Sequence, residues 1–467
     1  MTTNTRLSPL ERFLSTFTDI RPGEGITGLV MFANVFVILC AYYFVKPLRD
    51  AWIAVSHVEG LSGMELKAYS SFLQSLLLAG IASGFARLSG RVDKRKLVTG
   101  STLVCISNLV LFWMAYPGVM IENLPFAGVV FYLWVGMFGV FIVAQFWTMA
   151  ADMYAGESGT RLLPMIAIGA TAGAAFGSLV IGRLVSSGVF SSGSFLLLAT
   201  LPLALSIWLT HMADVRGPVG TGPRPASAST KATPAEVKSR GKGALSLIFR
   251  TPYLVSVAVV ILLCNWVNTN GENLMFSVLQ DALRAQAAGQ GLTGDQLQSF
   301  IGDGTTIFYG NFFIWVNVIA LIAQAFVASR LLRYGGFGAI MMLLPVVSTV
   351  AYSTMAFLPM LGIVRMFKTA ENSIDYSINK TAQQVLWLPT SSETKYRAKP
   401  AIDSLFVRMG DGFAALTVLL GARMLDLSNR SLFLVNVALA VTWLVLSFAI
   451  TRTYARMVKE HEREGAS

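Results

Sequence analysis

Six polar residues on one side of a stretch that begins and ends apolar carry the chemistry this sequence offers. Arg365, Lys368, Asn372, Asp375, Asn379 and Gln383 recur at spacings of three and four, with no Gly or Pro among them. At about 100° per residue they fall within roughly 80° on one side of a helix. Ile363, Met366, Phe367, Ile374, Ile378 and Val385 fill the rest of the wheel. Guanidinium and ammonium groups set among carboxamides suit phosphates or carboxylates, which they hold by charge-assisted hydrogen bonds. Ionisable groups cost at least about 2.5 kcal/mol each in lipid on insertion scales. Such a helix therefore faces a cavity, or else lies at an interface with one wet side.

The composition selects the cavity. Of 467 residues 54% are hydrophobic and only 13% are charged, against about 25% charged in soluble domains. Cys40, Cys105 and Cys264 sit in separate apolar runs, which reads as packing thiols and not as a disulfide or metal set. His57, His211 and His461 lie in loops or at span ends. No catalytic triad, P-loop, zinc spacing or redox motif is present, so no catalytic residue, metal or cofactor is expected, and no enzyme. No short apolar core with a small-residue cleavage site opens the chain, so the first apolar run is expected to stay as an anchor.

Runs long enough to span a bilayer, about 17–25 residues, fall at 26–45, 69–87, 97–116, 126–150, 162–187 and 193–211. After a Pro/Gly/Ser/Ala-rich linker they resume at 252–275, 304–328, 337–357, 358–387, 400–422 and 431–450. The boundary at 357 rests on Pro359. The expected organisation is an N-terminal tail (1–25), a six-helix half (26–211), a linker (212–251), a second six-helix half (252–451) and a tail (452–467).

The formal net charge of +11 would suit nucleic acid, but its distribution argues otherwise. Lys and Arg cluster in the 2–3, 8–9 and 10–11 loops, the linker and the C-terminal tail, and are absent from loops 3–4, 5–6 and 9–10. That asymmetry places both termini and the linker in the cytoplasm of a bacterial inner membrane. The partners expected are the lipid bilayer and a small anion, not nucleic acid, and the chain is expected to be a monomer.

Polarity inside the spans has a period of three. Spans 3, 6, 9 and 12 hold little beyond Asn108 and Asn436, whereas spans 1, 4, 7 and 10 hold the costly residues. Span 1 ends in Lys46, Arg49 and Asp50; span 4 carries Gln145 and ends at Asp152; span 7 carries Asn265, Asn268 and Glu272. One helix of each triplet lining a central cavity is what a major facilitator-like plan predicts, with twelve helices in two pseudo-symmetric halves. The fold expected is all-α. At 1.5 Å per residue, Lys46, Arg49, Arg365, Lys368, Asn268 and Glu272 fall toward the outer half and Asp375 near the middle. Those residues, with Gln145 and Asn372, form the expected substrate site.

A repeat supports the two halves. Glu157, Arg161 and Pro164 follow span 4, and Glu393, Arg397 and Pro400 follow span 10, both as E-x-x-x-R-x-x-P. These charges, with Asp152 and Asp403, are expected to form a gate of ion pairs at the cytoplasmic mouth, or to be ordinary helix-end charges.

At these residues the chain resembles the ATP/ADP antiporter family of plastids and intracellular bacteria. The resemblance is carried by Ala41 through Asp50, by Phe146–Trp147 through Arg161 and Pro164, and by Tyr376–Ser377 through Pro389, then Thr394, Lys395, Lys399 and Ala401 through Asp403. It covers about a third of the chain, and it implies a facilitator-like fold and exchange of adenine nucleotides. Plastid-type members, as aligned, have a glutamate at Val135, a Lys-Glu pair at Gln383–Gln384 and a lysine at Asp411. The function expected is a nucleotide or phosphorylated-anion antiporter. A carrier of another organic anion, proton-coupled through Glu272, Asp375 or Asp411, is the alternative. A non-transporting membrane sensor or assembly partner is the alternative of another class.

Overall fold

The structure, a computed structural model, describes residues 8–15, 20–89, 94–115, 126–154, 157–216, 243 and 245–466. Within hydrocarbon a backbone must satisfy its own hydrogen bonds, which leaves helices for a chain of apolar runs. Among the described residues every regular element is helical. In chain order these are α1 (Pro9–Leu14), α2 (Gly25–Val55), α3 (Gly63–Ser89), α4 (Lys94–Ala115), α5 (Ala127–Met153), α6 (Glu157–Ser186), α7 (Ser194–Leu198) and α8 (Thr200–Arg216). They continue with α9 (Pro252–Gly289), α10 (Gly294–Ile322), α11 (Ala328–Phe357), α12 (Leu361–Ile374), α13 (Lys380–Val385), α14 (Ser392–Ala401), α15 (Val407–Val418) and α16 (Asn429–Ala466). Short π-helical turns join α10 to α11, α12 to α13 and α14 to α15.

Each of the twelve expected apolar runs coincides over most of its length with described helix. Nine described stretches are long and apolar enough to cross a membrane. One of them, Gly294–Phe357, holds two expected spans, divided at Gly336, whose φ of 68° requires glycine. The ninth and tenth spans part at Pro359, between Leu358 and Met360, which both leave the helical region.

Helix ends differ more. The helix of span 1, α2, runs on to Val55 with Pro47 inside it, that of span 7, α9, to Gly289 and that of span 12, α16, to Ala466. The added turns of α9 and α16 are rich in Ala, Gln, Glu, Lys and Arg, strong helix formers that the hydropathy pattern ignores. Linker residues 217–242 and the 90–93 portion of the basic loop between spans 2 and 3 lie outside the described residues.

The chain groups into two compact units, residues 1–57, 80–230 and 293–318, and residues 58–79, 231–292 and 319–467. In the first, α6 lies against α2 through Gly169, Gly173 and Gly177. A Cβ at these three positions would strike the backbone of Phe32, Phe36 and Cys40 respectively. Small residues every fourth position let two membrane helices approach to backbone contact. In the second unit α9 is enclosed. Gly410 of α15 sits on the backbone of Leu262 and Trp266, and Asn436 of α16 donates to the Val267 carbonyl at 3.1 Å.

Candidate functional site

The helix α12 is where the sequence concentrates polar groups, and it buries its charged side. Lys368, Glu371, Asn372 and Asp375 are buried, whereas Met366 on the other side is 60% exposed. Lys368 is fully buried and pairs with Glu371 at 2.6 Å. Its ammonium also donates to the Asn268 side-chain oxygen of α9 at 2.9 Å. The Glu371 carboxylate accepts the hydroxyls of Ser348 (2.9 Å) and Tyr352 (2.7 Å), both on α11. An ion pair removed from water persists when each partner keeps its other hydrogen bonds, and this one does. Gly271 makes room for the Tyr352 hydroxyl, since a Cβ there would collide with it.

Beyond this pair the expected site residues meet in part. Asn372 donates to Glu272 of α9 at 3.2 Å, and its own side-chain oxygen is buried with no hydrogen-bond partner among the described residues. Asp375 accepts from Asn379 at 2.6 Å across the π turn Asp375–Asn379. Arg365 stands half-buried one turn before Lys368. The π turn alters the sequence-based wheel. An extra residue in one turn offsets everything after it by about 100°, so Gln383 does not continue the face that Arg365 begins.

In the first unit Lys46 projects among rings, 3.9 Å from the centroid of Phe313 and 5.0 Å from that of Tyr43. Arg49 lies 4.4 Å over the Tyr132 ring and contacts Asp50 at 3.2 Å. Aromatic faces hold a cation without discharging it. Gln145 accepts from Ser101 of α4 at 2.7 Å and is buried.

No protein-family model and no curated protein sequence matches the chain. Solved structures do match. A point variant of the nucleoside transporter NupG superposes with a TM-score of 0.58 at 14% identity, covering 91% of this chain and 99% of the other. A variant of the peptide transporter POT in complex with sulfate gives 0.60 at 12% identity, covering 96% and 99%. A bacterial homologue of the human lysosomal transporter Spinster gives 0.59 at 12% identity, covering 94% and 99%. The fold is an all-α, major facilitator-like membrane fold.

The residues expected at the gate are placed as follows. Arg161 of α6 holds Glu24, at the start of α2, with two parallel hydrogen bonds of 3.0 Å each. Both side chains are about nine-tenths buried. Tyr154, just past α5, has its phenol held above the ordinary range, first by burial and then by the Glu24 carboxylate. Asp152 is half-buried, and Arg397 and Asp403 are exposed. The side chains of Glu157 and Glu393 lie outside the described residues.

Sequence reasoning passed over three partners. Glu371 sits about 60° round the wheel from Lys368 and so fell outside the stripe. Glu24 precedes the first span. Asp411 enters the sequence reading as a coupling candidate, without its partners. It accepts from Ser75, Asn265 (2.7 Å), Thr269 (2.9 Å) and Arg408 (3.3 Å), which come from α3, α9 and α15. The i, i+3 spacing of Arg408 and Asp411 was the available signal.

Proposed function

We propose that this chain is a secondary transporter of the ATP/ADP antiporter type, exchanging nucleotides or related phosphorylated anions by alternating access. The observation that carries this reading is the retention of Lys46, Arg49, Arg365 and Lys368 on two membrane helices, α2 and α12. Such cations are costly in lipid and are kept where an anion uses them. The resemblance at Ala41 through Asp50 and around Tyr376–Pro389 supports the nucleotide class, and the facilitator-like fold supports transport. In this reading Lys46, Arg49, Arg365 and Lys368 receive phosphate oxygens, while Asn268, Asn372 and Gln145 offer neutral hydrogen bonds and Glu272 and Asp375 moderate the charge. Asp152, Glu157, Arg161, Glu393, Arg397 and Asp403 act at the gate.

One observation favours a second reading, an organic anion of lower charge. Glu371 already neutralises Lys368; the departures at Gln383, Gln384 and Asp411 from the pattern that the resemblance implies point the same way. A counterflow screen of the purified chain in liposomes tests both. Loading with nucleotides, sugar phosphates and dicarboxylates in turn should give trans-stimulated uptake for a phosphorylated anion. Stimulation by dicarboxylates alone would select the second reading, and stimulation by no anion would remove both.

A further inference from the structure

The last helix carries one continuous exposed face whose chemistry changes part-way along. Leu434, Val441, Val445 and Phe448 are its exposed large apolar residues, between 42% and 60% exposed. At about 100° per residue they share one side of α16 within roughly 60°. Arg452, Arg456, Lys459 and Arg463 continue that same side and are all exposed. The opposite side stays packed as far as Tyr454. Phe433, Ala440, Trp443 and Ile450 are at most 2% exposed, and one turn further Tyr454 stacks on Phe337 of α11 with centroids 4.0 Å apart. The helix thus keeps one packing face while its exposed face switches from apolar to cationic between Phe448 and Arg452.

That switch has the chemistry of a passage from hydrocarbon to headgroups. The Arg452 guanidinium lies back over the Phe448 ring at 4.3 Å, a cation kept on an outward aromatic. Arg452 stands about 6 Å and Arg456 about 12 Å beyond Phe448 along the axis. A headgroup layer is about 5–7 Å deep on each side. Measured from Phe448, the Arg452 backbone therefore falls within that layer and the Arg456 backbone about one turn beyond it, where a long side chain that leans toward the helix N-terminus reaches back to the phosphates. None of the four cations pairs with a carboxylate among the described residues. Glu460 is turned about 100° away from Lys459; it lies about 40° from Arg456 and about 60° from Arg463 but forms no ion pair with either among the described residues.

We propose that this face of α16 binds anionic phospholipid headgroups, with Arg452 and Arg456 holding the phosphates and Lys459 and Arg463 adding longer-range attraction. A second copy of the chain would set like charges against each other. A soluble acidic partner would leave Val441, Val445 and Phe448 uncovered. A lipid supplies an anion and a hydrocarbon tail at the spacing this face presents. This goes beyond the transport reading and does not depend on it.

The test is native mass spectrometry of the full chain released from micelles holding equal phosphatidylglycerol and phosphatidylcholine. The unaltered chain should retain phosphatidylglycerol preferentially, and the preference should fall as salt is raised. Arg452→Gln with Arg456→Gln should reduce it about fivefold for each arginine removed. Arg452→Lys with Arg456→Lys should keep it, as should Arg284→Gln at the end of α9. A salt-insensitive preference in the unaltered chain, or an unchanged one in the double glutamine variant, would overturn the proposal. So would displacement of the lipid by inorganic phosphate at equal concentration, which would mark a free-anion site, or loss of self-association in place of lipid in the glutamine variant.

Discussion

Lys368 and Glu371, one turn apart on α12, form a 2.6 Å ion pair at 0% and 2% side-chain exposure. Removing one partner of such a pair leaves a bare charge, at a cost of about 3–5 kcal/mol, whereas removing both is far milder. Lys368→Met and Glu371→Gln should each lower the thermal midpoint of the detergent-solubilised chain markedly. The double variant should recover most of that loss. Additive losses would show that the two charges do not sustain each other.

The bidentate contact of Arg161 with Glu24 ties the start of α2 to α6. Arg161→Glu should destabilise by several kcal/mol, since it sets two carboxylates together in a site that is about nine-tenths buried. The exchanged pair Glu24→Arg with Arg161→Glu should restore part of the melting temperature. A melting temperature no better than that of Arg161→Glu alone would remove the pairing argument.

Glu11 makes a reciprocal cap with Ser8 and also accepts from the amides of Gly23 and Gly25, so it fastens α1 to the start of α2. The hydrogen bond from the Ser8 amide is the chief reason its carboxyl is held below the ordinary value. A depressed folded value means the stabilisation is present above the unfolded pKa and is lost as pH falls through the folded one. Amide exchange at Gly23 and Gly25, referred to the intrinsic rates, should accelerate on acidification below about pH 4. In Glu11→Gln it should already be faster at neutral pH. Protection independent of pH and of this substitution would contradict the assignment.

The α2–α6 contact gives a steric prediction. A Cβ on Gly173 would strike the backbone of Phe36, which cannot move aside as a side chain can. Gly173→Ala should therefore destabilise despite alanine's better helix propensity, by about 1–3 kcal/mol as overpacking commonly does. The detergent melting curve is the readout, and an unchanged or raised midpoint would show that α2 and α6 part more readily than the contact suggests.

These residues also show what a sequence exposes. Span positions were legible because lipid imposes helices on apolar runs, and Pro359 marked a boundary from its own covalent geometry. Helix ends were less so, because the charged turns to Gly289 and Ala466 are helical without being apolar. At the site, charges were found but not their pairings. Arg161 and Glu24 are 137 residues apart, and Asp411 and Ser75 are 336 apart, separations that no local spacing encodes. Glu371 was the instructive miss. A wheel drawn at a fixed 100° looks for one stripe, whereas a buried cation needs its counter-ion beside it, 60° away.

In the transport reading the cations of α2 and α12 bind an anionic substrate. The most direct measurement is initial-rate exchange of labelled nucleotide or sugar phosphate in liposomes by the unaltered chain, Lys46→Gln and Arg365→Gln. A lost charge-assisted contact is worth about 1.5–3 kcal/mol, so each substitution should raise KM on the order of tenfold to a hundredfold, with exchange relaxing toward net uniport. Strong uptake of a neutral or cationic solute, unaffected by either substitution, would contradict the claim.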